Sequence, residues 1–162
     1  MTGMTIPSGA LWNWHLRGLT APPEVHAALA EILARPVVPL ATADPDWLPD
    51  GALLCDVWYT GGEFATRIDC YLAPAETVET AVVAALARRL GRCCLMPDDT
   101  LDAGRFLLAA PDGTLRPVHV DVEEGEDGPI LSRPRPCTVS DLRAICRQSR
   151  WAPDSVVPGV AA

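Results

Sequence analysis

The stretch Leu53-Leu54-Cys55-Asp56-Val57-Trp58-Tyr59-Thr60-Gly61-Gly62-Glu63-Phe64-Ala65-Thr66-Arg67-Ile68-Asp69-Cys70-Tyr71-Leu72 decides the fold. Two runs rich in aromatic and β-branched residues flank a Gly-Gly pair, the pattern of a hairpin closed by a two-residue turn. Such a turn sets Thr60 opposite Glu63 and fixes every other pair. Leu53, Cys55, Val57 and Tyr59 then share one face with Phe64, Ile68, Cys70 and Leu72, interrupted only by Thr66. The other face carries Leu54, Asp56, Trp58, Ala65, Arg67, Asp69 and Tyr71, with Asp56 directly across from Arg67. One apolar and one polar face imply a sheet covered on a single side.

Downstream, Pro74 and Glu76 open a helix running to about Leu90, with Val78, Val82, Val83, Leu86 and Leu90 at helical spacing. Arg88 and Arg89 suit its negative end and Gly91 its cap. Cys93-Cys94-Leu95-Met96 read as a buried strand stopped by Pro97. A second hairpin covers 105–122 around Pro111-Asp112-Gly113. A three-residue loop with a glycine bulge gathers Phe106, Leu108, Ala110, Val118, Val120 and Val122, which buries better than a two-residue turn. Arg105, His119 and Asp121 then face outward. Residues 123–128 make an acidic turn, Ile130-Leu131 a short edge strand, and Thr138 with Asp141 the start of a helix over 139–149 with Leu142, Ile145 and Cys146 inward.

Upstream, Val25, Leu29, Ile32 and Leu33 form the stripe of a helix over 24–35 that Pro36 stops, and 36–49 is a long loop with Val37 and Val38 extended. Residues 1–20 are an irregular aromatic-rich segment in which Leu11 to Leu16 can form a short strand, and 152–162 are a flexible tail. The order of elements predicts one α+β domain over 1–162. Its sheet is mostly antiparallel, two hairpins plus a central strand, with helices packed on one face.

Thirteen arginines and no lysine oppose twenty-one carboxylates, a net charge of −8. That excess repels polyanions, so neither nucleic acid nor a membrane is expected as partner, and a charged partner should be basic. No basic and apolar leader opens the chain and no apolar run approaches the ~20 residues of a membrane span, which predicts a cytoplasmic protein. The six cysteines show no C-x-x-C spacing and read as small buried hydrophobes.

Chemistry has few candidates. His119 beside Asp121 on one strand face could be an oriented base, with Arg105 nearby, but a solvated sheet presents the same pair. Adjacent Cys93 and Cys94 point to opposite faces of a strand, and His119 with Asp121 has no third ligand assigned, so no metal is expected. Gly61-Gly62 joins two strands rather than leading into a helix, which excludes a phosphate loop, and no cofactor is expected. The carboxylates gather in three groups: Asp44, Asp46 and Asp50; Asp98, Asp99 and Asp102; and Glu123, Glu124, Glu126 and Asp127. Solvated loops and a docking surface for a basic partner both fit them. Five tryptophans, at 12, 14, 47, 58 and 151, could be core or interface anchors.

In general character the chain is similar to the small acidic immunity proteins that bacteria pair with secreted toxins. It resembles also, in size, acidity and order of elements, the acidic chaperones of secreted effectors. The resemblance implies a binding protein rather than an enzyme, acting by steric and electrostatic occlusion of a toxin or effector. Asp56, Trp58, Arg67, Asp69 and Tyr71 would form the contact face, and the loops of Asp98, Asp99 and Asp102 or of Glu123, Glu124, Glu126 and Asp127 would steer the encounter. The competing expectation is a small-ligand-binding domain or enzyme centred on His119 and Asp121.

Overall fold

A computed structural model describes residues 9–100, 102–140, 146 and 149–157. The elements in chain order are β1 (Ala10–Leu16), α1 (Pro22–Leu33), β2 (Val37–Pro39), β3 (Leu53–Tyr59), β4 (Thr66–Ala73), α2 (Glu79–Leu90), β5 (Cys94–Pro97), β6 (Arg105–Ala109), β7 (Leu115–Gly125) and β8 (Gly128–Pro136). They build an α+β fold on one eight-stranded sheet of order β2-β3-β4-β1-β5-β6-β7-β8. β2 runs parallel to β3 and every other neighbouring pair is antiparallel. The helix expected over 139–149 falls largely outside the described residues, as does the end of the tail after residue 157.

The aromatic entry segment is not irregular over 10–16. It is β1, in the middle of the sheet, because Trp12, Trp14 and Leu16 alternate onto one face and are all buried there. The Trp12 and Trp14 rings stack with centroids 5.4 Å apart. On the same face α1 contributes Val25 and Leu29 and α2 contributes Val82, Val83 and Leu86 to a core with Leu53, Cys55, Ile68 and Cys70. α2 starts at Glu79, later than Pro74 suggests, and ends on Gly91 in the left-handed region (φ 64°), whose N–H bonds the Ala87 and Arg88 carbonyls.

The β3–β4 connection departs from a two-residue turn. Tyr59 pairs with Thr66, Trp58 with Arg67, Val57 with Ile68 and Asp56 with Asp69, and the Thr60 N–H bonds the Ala65 carbonyl at 2.9 Å. Four residues, Gly61 to Phe64, therefore lie between the last paired positions. The shift moves each partner by two, so the faces survive while the opposed pair Asp56 and Arg67 does not. Its cause is Phe64, which is fully buried in a second apolar cluster with Leu95, Phe106, Val118, Val120 and Leu131 on the sheet face away from the helices. Both glycines take positive φ to carry the loop there (88° and 74°).

That second cluster means the sheet is buried on both faces over much of its width. β7 and β8 form a long ribbon rather than an acidic turn and a two-residue edge strand, and the ribbon folds back over the far face. The Phe64 N–H reaches the Leu131 carbonyl at 3.3 Å, and the ribbon tip at Gly128 lies against Trp58, Thr60 and Arg67. β6 and β7 join through Pro111–Gly113, with Ala110 N–H on the Thr114 carbonyl and Gly113 at φ 87°. Phe106 and Val118 therefore pair in the second cluster, whereas Val122 is exposed. The other face of this pair carries Arg105, Leu107, Ala109, Leu115 and His119, and it too is buried rather than outward. It lies under the C-terminal segment, where Val157 N–H bonds the Leu115 carbonyl and Asp154 N–H the Cys137 carbonyl. Val157 itself is buried, while Ala152, Asp154 and Val156 remain exposed.

Candidate functional site

Of the residues expected to form a contact face, Asp69 is buried, Asp56, Trp58 and Arg67 are half-buried and Tyr71 is exposed. Asp69 is buried and accepts from Trp58 Nε1 at 2.9 Å and from Arg67 Nε at 3.3 Å. Arg67 also stacks its guanidinium 4.7 Å from the Trp58 ring centre. Gly128 of the folded ribbon covers this group, leaving Tyr71 exposed and Asp56 half-buried. Behind it, on β1, His15 lies across from Arg67 and is 3% exposed. Burial, and then the Arg67 charge, push its pKa down to about 4 against the opposing pull of Asp69. The imidazole is therefore neutral at ordinary pH. Trp58, Arg67 and Asp69 thus bond one another beneath the ribbon tip, while Tyr71 stays exposed.

His119 and Asp121 take different partners. β7 loses register against β8 between them: His119 pairs with Arg135 and Asp121 with Ser132, the extra β8 residue being accommodated at Arg133 (φ 52°). Asp121 turns to Arg135 at 2.9 Å and Arg133 at 2.5 Å. The Arg135 hydrogen bond, helped by Arg133, holds its carboxyl below the usual carboxylate range. His119 is buried instead, with Nδ1 3.9 Å from Asp102 Oδ2 and Nε2 3.4 Å from Cys146 Sγ. Cys137 completes a buried His-Cys-Cys group. Sequence spacing gave no hint of this group, since its members are brought together only by the course of the β7–β8 ribbon and the segment after it.

The acidic group after β5 separates into three roles. Asp98 is buried and paired with the buried Arg105 at 2.6 Å. Arg105 Nη2 also donates to the Trp151 carbonyl, and Ser149 Oγ to Asp98 Oδ2 at 3.3 Å. Asp99 is exposed in the left-handed region (φ 62°). Asp102 caps the turn into β6 through the Gly104 N–H at 2.9 Å. Between Asp98, Asp99, Ser149, Trp151 and the start of α2 opens a cleft of about 510 Å³. Glu79 lines it, held by Trp14 Nε1 at 3.0 Å, and burial pushes its pKa up with the Asp99 charge adding to the effect. His119 and Asp121 do not line this cleft.

The remaining acids are solvent-facing. Glu123, Glu124, Glu126 and Asp127 are exposed along the ribbon and its tip, beside the end of β3. Asp44, Asp46 and Asp50 are exposed in the loop that leads into the start of β3, so the two groups lie toward opposite ends of that strand. The loop is built, not slack. Two single-turn 3₁₀ helices, Leu40–Thr42 and Pro45–Trp47, fill it, and the Asp44 side chain caps the second through the Asp46 N–H. It holds Trp47 82% exposed, whereas Trp12 and Trp14 are core and Trp58 and Trp151 half-buried. No family model matches the chain, and neither a curated protein nor a solved structure matches it.

Proposed function

We propose that the chain is a small protein-binding domain for a basic partner, of the kind that an immunity protein represents, docking through the loop of Leu40 to Asp50. The observation that supports this reading is Trp47. A large aromatic ring held in water by two 3₁₀ turns and flanked by three exposed carboxylates is poor use of apolar surface in a free monomer. In a complex, tryptophan is among the residues that dominate binding energy, and a ring of acids steers a basic surface onto it. Occlusion of the partner, rather than chemistry on it, is the mechanism.

Co-expression with the product of the adjacent gene, followed by pull-down at low and high salt, tests the reading. A complex that weakens as salt rises, and about tenfold or more on Trp47→Ala with unchanged thermal stability, supports it; the loss corresponds to at least ~1.4 kcal/mol. A complex untouched by Trp47→Ala and by neutralising Asp44, Asp46 and Asp50 together would rule this loop out.

A second reading rests on the cleft beside Glu79. Its size suits a small ligand, and its carboxylates Glu79 and Asp99 suit a cationic one. Trp151 lines it and Trp14 bonds Glu79 from the core, so quenching of tryptophan fluorescence by a short polyamine, lost in Glu79→Gln, would favour it.

A further inference from the structure

We propose that His119, Cys137 and Cys146 form a binding site for a zinc ion. The three residues come from different places, β7, the residue after β8, and the C-terminal segment, yet their ligand atoms all lie within 4.8 Å of one another and all three are buried. Tetrahedral zinc, with bonds of roughly 2.0 Å to nitrogen and 2.3 Å to sulfur, holds such ligand atoms about 3.5–3.8 Å apart. The Nε2 to Sγ separation of 3.4 Å between His119 and Cys146 already matches that spacing. The other separations, at most 4.8 Å, would have to close by no more than about 1 Å to reach that spacing.

The surroundings of the imidazole fit the same role. Nε2 faces the Cys146 thiol, and Nδ1 is turned toward Asp102 Oδ2 at 3.9 Å. A carboxylate on the far ring nitrogen fixes the orientation of a metal-bound histidine and raises its basicity. Two soft sulfurs and one imidazole select zinc over calcium or magnesium, which take oxygen donors. Among the described residues no fourth side chain joins the group, and a water molecule or another donor completes the tetrahedron.

The fold shows what the ion would do. Cys137 is fixed to the sheet by its own N–H on the Pro117 carbonyl, and its carbonyl receives Asp154 N–H. A metal bridging it to His119 and Cys146 clamps the C-terminal segment over the buried Arg105 and Leu115. Because the site does not exist in the unfolded chain, binding adds to folding stability and releases the thiol protons.

Cobalt(II) added to the metal-free full chain provides the test. The expected result is one cobalt per chain with a thiolate charge-transfer band and the intense visible bands of tetrahedral cobalt, both removed by one equivalent of zinc. Cys146→Ser and Cys137→Ser should lose the charge-transfer band or most of it, while Cys93→Ser, outside the group, keeps it. A wild-type protein that is folded by circular dichroism and gives no such band overturns the proposal, as does a band that survives both serine variants. Should those variants fail to fold, differential alkylation of the wild type decides. In urea just below the unfolding transition, where buried thiols become reactive, zinc should protect Cys137 and Cys146 selectively, and equal labelling of both with and without zinc under those conditions overturns the site.

Discussion

His15 shows how a single side chain ties stability to pH. Its folded-state pKa is lowered to about 4 from 6.5, chiefly by burial, so between those values the unfolded chain binds the extra proton and the folded chain does not. The stabilisation that comes from keeping the ring neutral is complete above about pH 6.5 and is lost as pH falls toward 4. The full span amounts to about 3 kcal/mol. Urea midpoints measured from pH 7 down to pH 4.5 should fall steeply in the wild type, and His15→Leu should remove much of that slope. A wild type and variant with parallel profiles would mean that another group carries the acid sensitivity. Gly62 is constrained in a different way. It sits at φ 74°, and a Cβ there would come 2.5 Å from Ile130 Cγ2. Gly62→Ala should cost about 1–3 kcal/mol in chemical denaturation, whereas strain alone, without the ribbon contact, applies at Gly61, where a Cβ meets nothing within 4 Å.

At the scale of elements the β3–β4 loop is the piece that couples the two faces of the sheet. Phe64 leaves the hairpin to fill the cluster beneath the β7–β8 ribbon, so Phe64→Ala should cost ~3–5 kcal/mol and loosen amide-exchange protection in β8 as well as in its own loop. Protection loss confined to residues 60–65 would contradict that coupling. The same residue marks the limit of what could be read from the sequence. Period-two alternation set the faces of β3 and β4, and a register error of two residues leaves faces intact, so the helix-side core was legible. Asp56 opposite Arg67 was not, because register depends on where Phe64 finds its pocket. β8 was obscured for another reason. Pro129, Pro134 and Pro136 deny it ladder donors, and only its place at the sheet edge allows them. Once β8 is missed, the far face looks solvent-exposed, and Trp58, Arg67 and Asp69 look like a binding surface. Trp47 and its acids belong to a loop whose exposure no periodicity encodes.

The whole molecule is held closed at its C-terminal side by a buried ion pair. Local patterning marked Arg105, His119, Asp98 and Asp102 as polar and therefore outward, because nothing in β6 or β7 alone reveals that Cys137, Cys146 and residues 149–157 lie against them. With that cover in place, Arg105 and Asp98 lose nearly all contact with water and lie 2.6 Å apart, with the Trp151 carbonyl bonded to Arg105 and the Ser149 hydroxyl to Asp98. Such a pair contributes little net stability compared with apolar replacements, yet breaking it from one side leaves a charge buried alone. Arg105→Met should therefore cost ~3–5 kcal/mol, and Asp98→Leu in the same background should restore a large part of the loss. Because both residues reach the C-terminal segment, the single variant should also expose residues 149–157 to proteolysis before the sheet unfolds. Urea melts of the two single variants and the double variant, with limited proteolysis of each, measure the coupling. A double variant as unstable as the sum of the singles would show that the two charges do not compensate each other inside the fold.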